Sequence, residues 1–252
     1  MGVVYGVSPT WWGAKTDAGR IYTSTQLVVQ SGLVLNLDAG ASTSYPGSGT
    51  TWTNLVGSGN NGTLINGPTY DSSNGGSILF DGTNDYMSSI LSGTGCDKTT
   101  FSVDWWTKPN QVSNYDQMIF MNSSGTAGEY WNGFTFHTNQ NGQWTVGTST
   151  FTPDAYETTA NILFTNGEWC HISVSFNNGT LIVYKNAVEV MNVPSSVHSS
   201  NFVLLQVGAG PGFSQGTLFD GNLAALKVYS GKALTAAEVQ QNYNALKPRF
   251  VL

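Results

Sequence analysis

Seven Asn-Gly pairs punctuate this chain: Asn61-Gly62, Asn66-Gly67, Asn74-Gly75, Asn132-Gly133, Asn141-Gly142, Asn166-Gly167 and Asn178-Gly179. Both residue types tolerate positive φ, the backbone geometry that tight β-hairpin turns demand. The segments between the pairs are short and alternate apolar with polar side chains, which is the period of a strand. Phe101, Val103 and Trp105 alternate with Ser102, Asp104 and Trp106. Ile172, Val174 and Phe176 alternate with Ser173 and Ser175, and Leu181, Val183 and Lys185 follow across the Asn178-Gly179 turn. Many antiparallel strands with short turns predict an all-β, two-sheet sandwich in which each sheet buries one face.

One helix is expected near the end. Thr235 and Glu238 have the spacing of a capping box, in which each side chain satisfies an amide of the first turn. Leu234, Val239, Tyr243 and Leu246 then form a helical apolar stripe, and Pro248 stops the run. A length of 252 residues suits a single sandwich of this kind. No internal repeat and no linker rich in Pro or charge divides it. Residues 1–30 read differently from the rest and are expected to be an N-terminal arm or added edge strands, with the jelly-roll domain over 31–252. Trp11 and Trp12 point to opposite faces of an extended segment, so one of them needs cover from elsewhere. That makes the pair the candidate anchor of the arm, to a partner or to copies of the same chain.

Charge narrows the partners. Nine basic residues face fifteen acidic ones, a net charge of −6, and the basic residues are scattered. Phosphate neutralisation needs a basic patch, so neither nucleic acid nor an anionic membrane is an expected partner. Aromatics make up 12% of the chain, enough to pack a core and exclude a disordered one. Cys170 lies on the apolar face of the Ile172 strand and reads as a small buried hydrophobe, whereas Cys96 falls in a loop. Two free thiols and one disulfide both fit that pattern. The start of the chain shows no basic segment followed by an apolar run, so no secretory signal is expected.

Several segments, in order, resemble the laminin-G-like branch of the concanavalin A-like lectin/glucanase superfamily. Gly32-Leu-Val-Leu-Asn-Leu-Asp38 is similar to its opening strand, and Ile78-Leu-Phe-Asp-Gly-Thr-Asn-Asp-Tyr86 to its F-D-G-x-x-D-Y hairpin. Phe101-Ser-Val-Asp-Trp-Trp-Thr-Lys-Pro109 resembles the strand that ends in K-P. Trp169-Cys-His-Ile-Ser-Val-Ser-Phe176 with Leu181-Ile-Val-Tyr-Lys-Asn186 resembles the W-x-H hairpin. Phe219-Asp-Gly-Asn-Leu-Ala-Ala-Leu-Lys-Val-Tyr229 and Ala233-Leu-Thr-Ala-Ala-Glu238 resemble the closing strand and helix. The resemblance runs from about residue 32 to 247 and implies an antiparallel concanavalin A-like jelly roll with one short C-terminal helix. A finer likeness, of residues 33–40, 45–52 and 233–250, is to versions of this domain in tailed bacteriophage virion proteins.

Hydrolases of that family carry an E-x-D-x-x-E acid pair. None of Glu129, Glu157, Glu168, Glu189 and Glu238 has an acidic neighbour at that spacing, and no nucleophile elbow is present. His171 reads as a structural histidine, and the chain is expected not to be an enzyme. Asp81, Asn84 and Asp85 crowd oxygen donors into one turn and Asp220 recurs in the closing hairpin. These four are candidate calcium ligands, since calcium takes six to eight oxygens, although Asp-Gly is also an ordinary turn dipeptide. No other cofactor is expected. Sugar binding uses aromatic faces together with amide and carboxylate hydrogen bonds. Tyr115, Tyr130, Trp131 and Trp144 are the candidates, with core packing the competing role for each, while Trp52, Trp105, Trp106 and Trp169 belong to the core or a sheet face.

The expected role is a virion surface structural protein, a capsid decoration or fibre subunit, that displays the jelly roll and adheres to host-surface glycans. Its partners would be other virion proteins or its own copies, with host glycans in addition. The alternative is a secreted or cell-surface bacterial carbohydrate-binding lectin.

Overall fold

The computed structural model describes residues 16–17, 20–21, 27–57, 59–91, 95–110, 117–122, 133–138, 144–149, 159–162, 164–195, 201–209 and 218–250. In chain order the strands are β1 (Thr16–Asp17), β2 (Arg20–Ile21), β3 (Leu33–Asp38), β4 (Thr51–Trp52), β5 (Gly62–Ile65), β6 (Thr69–Asp71), β7 (Ser77–Asp81), β8 (Tyr86–Ile90) and β9 (Thr100–Pro109). They continue as β10 (Gln117–Asn122), β11 (Gly133–Thr138), β12 (Trp144–Ser149), β13 (Thr159–Ile162), β14 (Cys170–Asn177), β15 (Thr180–Lys185), β16 (Val188–Pro194), β17 (Leu204–Val207) and β18 (Asp220–Ser230). One helix, α1 (Ala236–Leu246), follows.

Two eight-stranded antiparallel sheets make the body. The first runs β13-β12-β11-β10-β17-β8-β5-β4; the second runs β16-β15-β14-β9-β18-β7-β6, with β3 also paired to β18. Crossings between the sheets, such as β5 to β6 and β7 to β8, give the jelly-roll character. The expected all-β sandwich with a short C-terminal helix is what forms.

Strand alternation explains the core. Trp52, Leu64, Met87, Phe134, Phe136, Leu205 and Val207 from the first sheet meet Leu35, Leu37, Phe101, Val103, Trp105, Ile172, Val174 and Phe176 from the second in one buried cluster. Burying each such side chain stabilises the fold by roughly 1.5–3 kcal/mol. Phe101 sits at the centre, edge-on to Phe134 and Phe202 and stacked on Phe176 at centroid distances of 5.4, 5.2 and 5.3 Å. Such arrangements suit the ring quadrupoles.

The turns follow the Asn-Gly reading in part. Asn178 (φ 41°) and Gly179 (φ 94°) close a two-residue hairpin between β14 and β15, where Asn177 pairs with Thr180. Asn66-Gly67 instead carries the chain from one sheet to the other, and Asn74-Gly75 lies between β6 and β7. The hairpin from β15 to β16 uses Asn186 (φ 50°) and Ala187 (φ 63°), with Lys185 opposite Val188. There Ala187 takes a left-handed conformation that costs an L-residue roughly 1–2 kcal/mol.

The helix covers the outer face of the second sheet, making a third layer. Its capping box is formed: the Thr235 hydroxyl accepts from the Glu238 amide, and the Glu238 carboxylate accepts from the Thr235 amide. Val239 and Leu234 pack with Leu33, Tyr184 and Tyr229, while Tyr243 and Phe250 pack with Trp106. Val28 and Val29 join this layer, and the amides of Gln241 and Asn242 bond to the backbone at Leu27 and Val29. Residues 27–29 thus pack on α1. Trp11 and Trp12 lie outside the described residues. Arg249 closes the C-terminal end, bonding to Asp38 at 2.6 Å and to the carbonyls of Asn74 and Gly76.

Candidate functional site

Three groups of polar residues have to be sorted into structural and binding roles. The first is sealed between the second sheet and α1. Asp104 on β9 is fully buried and accepts from Lys227 Nζ on β18 at 3.3 Å and from Asn242 Nδ2 on α1 at 3.2 Å, and its other contact is His171 Nε2 on β14 at 2.8 Å. Burial alone would raise its pKa, but the attraction of His171 and Lys227 and the hydrogen bonds outweigh that and bring the carboxyl down to about 2. The Tyr229 hydroxyl also bonds to Asn242, and burial pushes it well above the usual phenol range. None of these side chains reaches solvent, so the cluster ties helix to sheet. His171 is wholly buried within it.

The second group is the set of candidate calcium ligands. Asp81 and Asp220 are register partners on β7 and β18. The Asp81 carboxylate accepts from the Thr83 and Asn84 amides, and these backbone bonds lower its pKa. Asp85 is buried, accepts from the Asp81 amide, and is raised by burial and by the Asp81 charge. Asp220 accepts from the Asn110 side chain, while Asn84 is exposed and contributes its carbonyl to Asn66. The four shape one turn and its neighbouring strand. Among the described residues no group of three or more His, Cys, Asp or Glu is placed to hold a metal ion. Cys96 and Cys170 are both buried free thiols.

The third group lies on the outward face of the first sheet. Inward residues of β5, β8 and β17 are Leu64, Met87, Leu205 and Val207; alternation turns Thr63, Ile65, Ser88, Ile90 and Gln206 to the other side. A depression of about 450 Å³ opens there, lined by Gly59, Asn60, Asn61, Thr63, Ile65, Ser88 and Ile90. Its loop wall is fixed by hydrogen bonds: Asn61 Oδ1 accepts from the Asn54 amide, and Ser89 Oγ donates to the Asn60 carbonyl. Thr63 faces Ser88, and Ser88 faces Gln206, as register partners on adjacent strands. Gln206 is only 2% exposed, and its Oε1 has no hydrogen-bond partner among the described residues. The row continues by register through Phe120 to Thr135, whose hydroxyl lies 2.8 Å from His137 Nδ1. Burial depresses the His137 pKa to about 4.

Tyr115, Tyr130 and Trp131, three of the aromatic candidates for sugar binding, lie outside the described residues. Trp144 opens β12 opposite Thr138 and Ile162; its side chain is likewise outside the description. Trp52, Trp105 and Trp106 are wholly buried, and Trp169 is half-buried against Phe250 with its indole N–H donating to Asn74. The depression was not foreseen from sequence. Thr, Ser and Ile at alternate positions of two short strands look like any solvated sheet face, and the pairing that brings them together is long-range.

Residues 81–240, more than half of the chain, match the family model of the concanavalin A-like lectin/glucanases superfamily. No curated protein matches. Similar solved structures include domain 4 of an extracellular GH43 arabinanase from Geobacillus stearothermophilus, crystallised with arabinotriose: 16% identity, TM-score 0.65, covering 85% of this chain and all of that one. A botulinum neurotoxin type C structure, from work on its interaction with two ganglioside molecules, matches at 12% identity and TM-score 0.64 over 85% of this chain and 51% of its own. A Trypanosoma rangeli sialidase matches at 11% identity and TM-score 0.64, over 88% of this chain and 34% of its own. At these identities the likeness establishes the fold. It also corrects the expectation that the chain is not an enzyme: the same fold occurs within sialidase and arabinanase structures, so a missing E-x-D-x-x-E pattern does not exclude catalysis. By the span of the family match, the chain belongs to the concanavalin A-like lectin/glucanases superfamily.

Proposed function

We propose that this domain binds carbohydrate on the outward face of its first sheet. The depression beside Gln206 carries the reading: it has the size of a ligand site, about 300–1,000 Å³ in typical cases, and its walls are strands and a hydrogen-bonded loop. Mounting polar groups on rigid strands lowers the ordering cost of binding a flexible glycan. The arabinanase domain crystallised with arabinotriose and the ganglioside-dependent neurotoxin support it by analogy of fold. Testing the full chain against a broad immobilised glycan panel is the direct experiment. At least one glycan should bind with a Kd of about 1 mM or better, roughly −4 kcal/mol; no binding across the panel overturns the proposal.

We further propose that the domain is displayed on a tailed-bacteriophage virion as a decoration or fibre subunit, adhering to host glycans, with Trp11 and Trp12 in its anchoring arm. The support is the resemblance of residues 33–40, 45–52 and 233–250 to phage virion versions of the domain. Solution mass of the full chain and of a form lacking residues 1–24, which keeps the segment packed on α1, tests the arm. Assembly of the full chain alone is expected. Two monomers of equal stability would favour a free-standing extracellular lectin instead.

A further inference from the structure

The depression says which carbohydrate fits, given that carbohydrate binds there at all. Thr63 and Ser88 stand side by side at its centre, with Ile65 beyond one end of the pair and Ile90 beyond the other. Ile90 is 56% exposed. The loop 59–61 closes one side and Gln206 lies next to Ser88 on the other. None of the lining residues is ionisable.

Sugars carrying a carboxylate, such as sialic or uronic acids, are held by Arg, Lys or clustered N–H donors. This lining offers no such cation, and the net charge of −6 opposes an anion further. Ile65 and Ile90 meanwhile offer an apolar surface to the C–H face of a ring.

We infer that the depression takes a neutral oligosaccharide, with Ile65 and Ile90 against the C–H face of a ring and Thr63 and Ser88 on its hydroxyls. This rests on the carbohydrate-binding reading. The test is titration calorimetry of the full chain with neutral probes (arabinotriose, xylotriose, cellotriose and maltotriose) and anionic ones (3′-sialyllactose and trigalacturonic acid). Ile90→Glu and Ser88→Arg are compared with Val188→Glu, an exposed control on the second sheet, and all three are checked for unchanged unfolding. A neutral probe should bind, weaken about tenfold or more in the first two variants, and be unaffected in the third. Equal or tighter binding of an anionic probe overturns the inference while leaving carbohydrate binding intact. Neutral binding that ignores Ile90→Glu and Ser88→Arg also overturns it and moves the site elsewhere. If only glycans outside these probes bind in the panel, the neutral ones among them are titrated against the same variants, and an exclusively anionic set overturns the inference. No binding by any glycan removes the underlying reading as well.

Discussion

Replacing Asp104 by Asn takes away the carboxylate to which Lys227, His171 and Asn242 are all joined. Lys227 is 1% exposed, so its ammonium cannot turn to water when the partner charge goes. Breaking a buried ion pair from one side costs about 3–5 kcal/mol because an uncompensated charge stays behind. For a chain of this length 1 kcal/mol is worth roughly 2–4 °C in Tm, so a loss of about 4 kcal/mol lowers Tm by about 8–16 °C at pH 7. Adding Lys227→Met removes the stranded cation, and the double variant should recover at least about half of the loss. Acid supplies an independent check of sign. The Asp104 carboxyl is depressed to about 2 in the fold against 3.8 for the free group. Its contribution is thus complete above pH 4 and fades as the pH falls through 2. Wild type and Asp104→Asn should converge by about 2 kcal/mol over that interval. Circular dichroism melts of the three proteins from pH 2 to 7 measure all of this. A loss below about 1 kcal/mol at neutral pH, with no gain in the double variant, would mean that water reaches the cluster and would refute the argument.

His137 gives a second acid effect at higher pH. Its pKa falls from 6.5 to about 4 on folding because the ring is buried, so the unfolded chain takes up the proton first and stability drops between those values. About 3 kcal/mol should be lost from pH 6.5 to 4, and His137→Gln should flatten that part of the curve in chemical denaturation. Thr235→Ala breaks the capping box and should cost about 1 kcal/mol, read as a lower denaturant midpoint at unchanged m-value. Cys96 and Cys170 are buried and their thiols are pushed up to about 12 by desolvation, so a thiol reagent at pH 8 should label neither in the native protein and both after denaturation. Rapid native labelling would contradict the packing around β9 and the Cys96–Phe202 bridge.

What could be read from the sequence was local. Alternation in the segment at Phe101–Trp106 specified a strand with two distinct faces, Asn178-Gly179 specified a hairpin, and Thr235 with Glu238 specified where the helix begins, because each depends on residues within a few positions of one another. The Asn186-Ala187 turn escaped that reading, since nothing local favours a left-handed alanine; the hydrogen-bonded strands on either side impose it. Whether the second face of β9 met water was equally invisible. Ser102 and Asp104 read as the polar side of an ordinary strand, yet α1, over a hundred residues later, covers them and turns Asp104 into a buried charge that requires Lys227 and His171. The binding candidates show the same division. Aromatic residues near turns stood out by type, whereas the depression exists because β5, β8 and β17 lie side by side, placing Thr63, Ser88 and Gln206 in one row from three distant parts of the chain. Local sequence determined which segments became strands and where they turned; tertiary pairing alone decided which of their faces became core, which became a sealed ionic layer, and which remained open to a ligand.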